Sequence, residues 1–239
     1  MAAFDAGLAA GADGLELDVR LSSDGVPVVI HDATLDRTTS GTGPVSAHTA
    51  AALARLDAAC RFQGDGDFPW RGRGVGVPSL AEVLRRHRDC RVIVEMKGNE
   101  PALGSAVARV LRDADALDRV CAAGFGADAM RAFRRALPEA ATSAHREEVR
   151  LALCRSWVRW PLRDLPYGGY QVPERAGRLR VVSPAFVRGA HAAGLQVHVW
   201  TVNDAGDVRR LLDWGVDALI TDRPGDVRDI VSGVTPGTR

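Results

Sequence analysis

Gly14-Leu-Glu-Leu-Asp-Val-Arg-Leu21 alternates apolar and polar residues with the two-residue period of a β-strand. Gly11 precedes it at the end of a helical pattern over residues 2–10, and the turn Ser22-Ser-Asp-Gly25 follows it. The corner Gly11-Ala-Asp-Gly-Leu-Glu returns near the other end of the chain as Gly215-Val-Asp-Ala-Leu-Ile. One helix-to-strand unit is therefore repeated along this sequence, which predicts an α/β fold.

Short apolar strands alternate with amphipathic helices along the 239 residues, which favours a parallel sheet with helical crossovers. The predicted strands are residues 14–21, 91–96, 119–123, 140–144, 169–172, 196–201 and 218–221. The length suits a single domain over residues 1–239, whereas a closed (β/α)₈ barrel needs eight strands. Seven strands behind an opening helix leave two alternatives: an open sheet, or a first strand that is missing from this sequence.

Composition excludes several classes of protein. The net charge is +1 with both signs interspersed, so we expect no nucleic-acid partner. No segment is apolar over the length of a bilayer, and the N-terminus lacks the basic start and apolar run of a signal peptide. Four scattered cysteines favour reduced thiols, which are typical of a cytoplasmic protein.

Residues 32–78 interrupt the alternation with glycines, polar turns and one short helix around residues 49–56. A connection of this length in a compact fold is more often functional than idle. We interpret residues 32–78 as an inserted loop and short-helix region over the mouth of a barrel.

Acidic side chains occur on one face of two predicted strands. Glu16 and Asp18 share a face of the first strand, and Glu95 and Lys97 share a face near the carboxyl end of the strand at 91–96. Either pair alone fits a solvated strand end. Three converging carboxylates would repel one another unless a cation lay among them, and oxygen ligands favour Mg²⁺ or Ca²⁺ over zinc.

Lys97 is the only lysine among the 31 basic residues. A position that stays lysine where arginine serves everywhere else indicates a need for a compact ammonium group. Lys97 could be an internal salt-bridge partner of the carboxylates, but we favour a role on an anionic substrate. A phosphate held by both a cation and an ammonium group is the natural ligand.

A histidine and a tryptophan complete the candidate site. His31 ends the extended segment Val26-Pro-Val-Val-Ile30, and an imidazole near a metal-bound phosphate suits proton transfer near neutral pH. Trp200 closes the strand at 196–201 and is either a wall for substrate carbons or a core side chain. His198 is a weaker candidate for lining the site, and Asn203 or Asp204 is predicted to cap the following helix.

The run from Glu16 to Asp32, followed by Leu35-Asp-Arg-Thr-Thr39, closely resembles the core of the glycerophosphodiester phosphodiesterase family. The segments Val77-Pro-Ser-Leu-Ala-Glu-Val-Leu84, Glu95-Met-Lys97, Val199-Trp-Thr-Val-Asn203 and Ile220-Thr-Asp-Arg-Pro224 continue the likeness in order. The resemblance implies a (β/α)₈ barrel that hydrolyses glycerophosphodiesters to glycerol 3-phosphate and an alcohol. It also implies one divalent cation on Glu16, Asp18 and Glu95, an acid–base role for His31, and Lys97 on the phosphate.

One departure from the family concerns the N-terminus. Members of the family begin with a strand that ends in His-Arg, whereas this chain begins at Met1-Ala-Ala-Phe, inside the helix that follows. The expected fold is therefore a TIM-type (β/α)₈ barrel truncated at the N-terminus, so that the first β-strand is absent, with a loop insertion after the second strand. We expect the native protein to begin upstream, and a stop codon before any upstream His-Arg strand would contradict this.

Two alternatives stay open at this point. Losing an acid–base group costs a factor of roughly 10²–10⁴ in rate, so the chain could be a catalytically impaired or non-catalytic phosphate-ester-binding barrel. A related phospholipase acting on intact lipid would need an exposed apolar rim, and the Gly- and Arg-rich loop argues against that. The expected partner is a small glycerophosphodiester bound by a monomer or a homodimer.

Overall fold

The computed structural model describes residues 1–64, 66–157 and 165–233. These residues form two compact units. The first unit comprises Met1–Asp5 and Gly14–Ala141, and the second comprises Ala6–Asp13 and the described part of Thr142–Arg239. The prediction of one domain over residues 1–239 stays a prediction, as does the strand expected upstream of Met1.

The first unit contains most of a five-stranded sheet in the order β2-β1-β3-β4-β5. Strands β1 and β3 pair in parallel, with Asp18 opposite Glu95, and β3 pairs in parallel with β4. Strand β2 runs antiparallel to the end of β1, with Val19 opposite Val29. The strands of this sheet are β1 (Gly14–Leu21), β2 (Pro27–Val29), β3 (Arg91–Met96), β4 (Val120–Gly124) and β5 (Ala141–Thr142).

Helices follow the sheet strands as the periodicity predicts. Ser79 and Glu82 form the predicted capping box, in which each side chain satisfies a backbone N–H group at the start of α3. Helices α4 and α5 bury one face each, and burying a leucine or valine contributes about 1.5–3 kcal/mol. The helices up to this point are α1 (Ala2–Ala9), α2 (Ala50–Ala54), α3 (Leu80–Arg86), α4 (Pro101–Asp113) and α5 (Ala127–Ala136).

The inserted region over residues 32–78 has a small apolar core of its own. Thr49 caps the predicted short helix α2 by accepting a hydrogen bond from the Ala52 amide, and a short 3₁₀ helix spans Val45–Ala47. Gly76 lies against α2 so closely that an added Cβ would be 2.0 Å from the Ala54 oxygen. The buried side chains of this core are Val28, Ile30, Leu35, Val45, Leu53 and Val77. The core fixes the base of the insertion beside the end of β2.

The second unit contains a three-stranded parallel sheet in the order β10-β9-β6 and a two-stranded hairpin. Ser183 caps α7 ahead of Pro184, and Gly194 and Gly215 end helices with φ of 72° and 83°, as predicted. Its strands are β6 (Gly169–Pro173), β7 (Arg175–Ala176), β8 (Leu179–Arg180), β9 (Gln196–Trp200) and β10 (Ala218–Leu219). Its helices are α6 (Arg146–Trp157), α7 (Pro184–Ala192), α8 (Ala205–Asp213) and α9 (Pro224–Gly233).

The predicted strands are all present, but the sequence did not predict every pairing. The hairpin of β7 and β8 was missed because two-residue strands carry too little alternation to be recognised. Strands β5 and β10 are shorter than predicted, at two residues each. No helix of the described residues is long and apolar enough to cross a bilayer.

Candidate active site

Strand β1 divides its side chains between two environments. Leu15, Leu17 and Val19 are buried, whereas Glu16, Asp18 and Arg20 are only partly buried. Successive side chains of a strand point to opposite faces, so the two acids and the arginine share one face. The sequence thus places a row of charged groups on a strand whose other face belongs to the core.

The register between β1 and β3 brings the acids together. Asp18 lies opposite Glu95, and carboxylate oxygens of Glu16, Asp18 and Glu95 lie within 4.8 Å of one another. Lys97 follows the end of β3, where its backbone N–H donates a 3.0 Å hydrogen bond to the Val19 carbonyl. Its Nζ lies 2.5 Å from Glu95 Oε1 and 3.1 Å from Asp18 Oδ1. The structure therefore groups four of the predicted site residues.

The charges of this group shift two pKa values. Burial raises the pKa of Glu95, and the attraction of Lys97 offsets this only in part. Burial alone would lower the pKa of Lys97, but Glu95 and Asp18 outweigh it, so the pKa of the ammonium group is raised. Lys97 thus stays charged and neutralises part of the acidic group.

These residues fit a hard divalent cation. The three carboxylate oxygens lie within 4.8 Å of one another, and a cation among them would relieve their mutual repulsion. All three candidate ligands are carboxylate oxygens, which Mg²⁺ and Ca²⁺ prefer.

His31 follows β2, and its side chain contacts a carboxylate that is itself held by an arginine. The Ile30 amide donates a 3.0 Å hydrogen bond to the Asp18 carbonyl, which ties this segment to β1. His31 Nδ1 lies 2.8 Å from Asp32 Oδ1, and Arg37 pairs with the same carboxylate through Nε and Nη2 at 2.5 and 2.9 Å. Arg37 and then His31 lower the pKa of Asp32, so this carboxylate stays ionised. A carboxylate beside Nδ1 orients the imidazole ring and favours the tautomer that carries its proton on Nδ1.

Some residues near the site were missed in the sequence. Arg20 donates hydrogen bonds to the carbonyls of His31 and Lys97, and the Phe125 ring centre lies 5.7 Å from Lys97 Nζ. Phe125 directly follows β4. Barrel enzymes place their active sites at the carboxyl ends of the strands, so this position could have identified Phe125 from the sequence. Arg20 shares the strand face of Glu16 and Asp18, so the same alternation could have identified it.

Trp200, His198 and Asn203 belong to the second unit. Trp200 ends β9 and is partly buried, opposite Pro173 of β6. Burial lowers the pKa of His198, whose Nδ1 is buried without a hydrogen bond. Asp204 is the cap of α8, whereas Asn203 accepts hydrogen bonds from the Thr221 hydroxyl and the Asp222 amide. Asn203 therefore joins the ends of β9 and β10.

The inserted region exposes more apolar surface than its composition suggests. Phe62 and Trp70 are 57% and 44% exposed, among the arginines and glycines of this loop. Arg71 stacks on the Phe68 ring and donates a hydrogen bond to the Cys60 carbonyl. These rings add exposed apolar surface to a loop that is rich in glycine and arginine, so an intact lipid is worth testing as a substrate.

Comparisons with known proteins agree on one family. Residues 1–226 match the Glycerophosphoryl diester phosphodiesterase family. A probable glycerophosphodiester phosphodiesterase 2 of Mycobacterium tuberculosis is 32% identical to this chain, over 97% of this chain and 84% of the relative.

Two solved structures have the same fold. The glycerophosphoryl diester phosphodiesterase domain of an uncharacterised Mycobacterium tuberculosis protein has a TM-score of 0.80 and 26% identity, covering 94% of this chain and 90% of that one. An Oleispira antarctica phosphodiesterase in complex with the product sn-glycerol-3-phosphate has a TM-score of 0.76 and 26% identity, covering 96% and 89%. These matches confirm the predicted α/β fold of the TIM-barrel type.

Proposed function

The chain belongs to the glycerophosphoryl diester phosphodiesterase family, and we propose that it hydrolyses glycerophosphodiesters to glycerol 3-phosphate and an alcohol. The observation that carries the proposal is the group of three carboxylates within 4.8 Å of one another beside one ammonium group. The product bound to the Oleispira antarctica relative supports the choice of substrate.

Glu16, Asp18 and Glu95 would hold one divalent cation, Mg²⁺ or Ca²⁺. Bound there, the ion supplies positive charge to the phosphate oxygens of the diester. The protein's own contribution is to keep the three carboxylates aligned, through the parallel register of β1 and β3. Their mutual repulsion favours uptake of the cation.

Lys97 would bind a phosphate oxygen. Its ammonium group is partly buried among carboxylates, and its raised pKa keeps it charged over the neutral range. Once the carboxylates are neutralised by an ion, Lys97 can direct its charge to the substrate. A fixed charge in a site that excludes water stabilises the charge that develops on phosphorus oxygens.

His31 would move the proton. Cleavage breaks the bond between phosphorus and the alcohol oxygen, forms a new bond between phosphorus and the attacking oxygen, and delivers a proton to the leaving alcohol. With Nδ1 beside Asp32, the His31 Nε2 can protonate the leaving oxygen or take the proton of the nucleophile. Trp200 is proposed as a wall for substrate carbons.

Removing the metal ion and then restoring it tests whether the activity depends on a divalent cation. Chelation with EDTA should abolish glycerol 3-phosphate release from glycerophosphocholine, and Mg²⁺ or Ca²⁺ should restore it. Glu16→Ala should lose both ion uptake, measured by calorimetry, and at least about 10² in kcat. Glu139→Gln removes the charge of an exposed acid and serves as the control. If Glu16→Ala kept both ion uptake and cleavage, the proposed site would be wrong.

Assays with two substrates distinguish the proposed activity from the phospholipase and the non-catalytic alternatives. We expect release of glycerol 3-phosphate from glycerophosphocholine and no cleavage of phosphatidylcholine in vesicles. Cleavage of the intact lipid alone would favour the phospholipase alternative. Binding of glycerophosphocholine without turnover would favour a non-catalytic phosphate-ester-binding barrel.

We propose a cytoplasmic protein that acts as a monomer or homodimer without a nucleic-acid partner. The four cysteines support a reducing compartment, since none of them forms a disulfide with another described residue. The near-neutral net charge of +1 supports a small substrate over a nucleic acid.

A further inference from the structure

Arg20 joins the two chain segments that carry His31 and Lys97. Its Nε donates a 2.8 Å hydrogen bond to the His31 carbonyl, and its Nη1 donates a 2.7 Å hydrogen bond to the Lys97 carbonyl. His31 and Lys97 are 66 positions apart in the sequence, so no local structure sets their separation. One guanidinium group therefore bridges the main chain at two proposed site residues.

Both segments leave the sheet at the point where Arg20 holds them. The last bonds to β1 are from the Ile30 amide to the Asp18 carbonyl and from the Lys97 amide to the Val19 carbonyl, each 3.0 Å long. Beyond these bonds, the sheet no longer fixes the direction of either chain. The carbonyls of His31 and Lys97 are polar groups that need donors, and Arg20 provides both.

The geometry needs an arginine. A guanidinium group offers its donors in a rigid planar fork, so two bonds from one side chain fix two acceptors relative to each other. A lysine at this position would present a single nitrogen and would hold the two carbonyls less rigidly. Arg20 stands on the same strand face as Glu16 and Asp18, so it extends the charged row, and its Nε and Nη1 both donate to main-chain carbonyls.

We propose that Arg20 is a positioning residue that fixes the position of His31 relative to Lys97. This inference rests on the proposed function. By this proposal Arg20 is neither a ligand of the cation nor a substrate-binding group. Arg20 would affect the reaction through the backbone of His31 and Lys97, the two residues that are proposed to act on the substrate. Misplacing a reacting group by about 1 Å costs on the order of 10²-fold in rate, so a small loosening here has a large effect.

Arg119 provides a matched control within the same unit. It is also partly buried, and it donates hydrogen bonds of 3.0–3.3 Å to the carbonyls of Leu84, His87 and Cys90. These carbonyls precede β3, whereas Arg20 acts where the chain leaves β3. Arg20→Met and Arg119→Met therefore remove the same kind of contact from opposite ends of the strand.

The two variants should lose similar thermal stability but differ in turnover. Arg20→Met should lower kcat for glycerophosphocholine roughly 10- to 100-fold, with metal affinity unchanged within about twofold. Arg119→Met should keep kcat within about threefold of the wild type. Arg20→Lys should lie between the wild type and Arg20→Met. If Arg20→Met kept its kcat, or fell no further than Arg119→Met, the proposal would be overturned.

Chemical rescue gives a readout that lost stability would not produce. In Arg20→Ala, added methylguanidinium should recover at least about threefold of the lost kcat, whereas methylammonium at the same concentration should recover none. Equal rescue by both cations would contradict the need for a planar fork.

Hydrogen exchange separates this proposal from the proposed function. Arg20→Met should raise amide exchange in the segments after His31 and Lys97 by at least about threefold, and Arg119→Met should leave them unchanged. A wild-type chain that released no glycerol 3-phosphate would overturn the proposed function, and exchange would still decide the role of Arg20. Unchanged exchange in Arg20→Met would overturn the positioning role even in an active enzyme.

Discussion

Strands β3 and β9 have the same pattern of burial but carry different chemistry. In each strand the valines are buried, at Val92 and Val94 in β3 and at Val197 and Val199 in β9. At the alternate, less buried positions, β3 carries Glu95 and continues to Lys97, whereas β9 carries His198 and Trp200. The core-facing residues therefore specify a strand without specifying a site.

Neighbouring strands account for the difference. Glu95 lies opposite Asp18 of β1 and next to Lys97, so its charge has both a partner and a repelling neighbour. His198 lies opposite Gln171 of β6 and Ala218 of β10, neither of which carries a charge. Cross-strand partners set whether a polar face concentrates charge or stays neutral, which decides where a cation and a phosphate can bind.

The largest expected effect is on the charged face. Glu95→Gln keeps the size of the side chain and removes its charge, so we expect kcat to fall at least about 10³-fold and cation affinity to fall with it. His198→Gln is the matched change on β9 and should keep kcat within about threefold. Steady-state kinetics with titrated Mg²⁺ or Ca²⁺ measure both quantities. Comparable losses in the two variants would remove the distinction between the strands.

Removal of the ammonium group should have the next largest effect. Lys97→Met should lower kcat/KM about 10²-fold, because the phosphate loses a fixed positive charge. Lys97 is the only lysine in the chain, so a lysine-directed acylating reagent provides a second test. The reagent should inactivate the wild type more slowly when glycerol 3-phosphate is present, and it should not reduce the residual activity of Lys97→Met. Inactivation of Lys97→Met at the wild-type rate would point to a different group.

Much of this fold could be predicted from the sequence because its signals are local. The alternation in Gly14–Leu21 and Arg91–Met96 gave both strands at their observed bounds, and Ser79 with Glu82 gave the start of α3. Strand register is not local. Asp18 and Glu95 are 77 positions apart, and only parallel pairing at one register sets them opposite each other.

The site was predictable in its residue types and less so in its contacts. Glu16, Asp18 and Glu95 stood out as carboxylates on strand faces, and Lys97 stood out because it is unique. Arg20 and Arg37 did not stand out, because thirty arginines hide the few that make specific contacts. The alternation of β1 places Arg20 on the charged face, but its contacts depend on where two distant loops leave the sheet, which is not a local property of the sequence.

Trp200 tests whether β9 contributes to substrate binding at all. If its ring forms a wall for substrate carbons, Trp200→Ala should raise KM about tenfold with kcat nearly unchanged, since a lost apolar contact costs about 1–3 kcal/mol. Trp200→Phe keeps an aromatic ring and should raise KM less. Kinetics with glycerophosphocholine and glycerophosphoethanolamine measure the effect. A fall in stability with unchanged KM would assign Trp200 to the core instead.

The smallest expected effect is on stability, and it has opposite signs on the two strands. Burial raises the pKa of Glu95, so the folded state favours its protonated form and this contribution to stability is lost as pH rises through the folded pKa. Burial lowers the pKa of His198, so the folded state favours the neutral ring and stability is lost as pH falls below the ordinary value of 6.5.

Between pH 7 and pH 5, His198→Gln should therefore lose less thermal stability than the wild type. Above pH 7, the thermal stability of the two proteins should depend on pH in nearly the same way. Part of the stability loss at acid pH should remain in the variant, because burial also lowers the pKa of His87 in the first unit. Thermal unfolding of both proteins at a series of pH values measures the difference. Parallel curves would mean that His198 takes up its proton as easily when folded as when unfolded, and the burial of its ring could then not be what distinguishes β9 from β3.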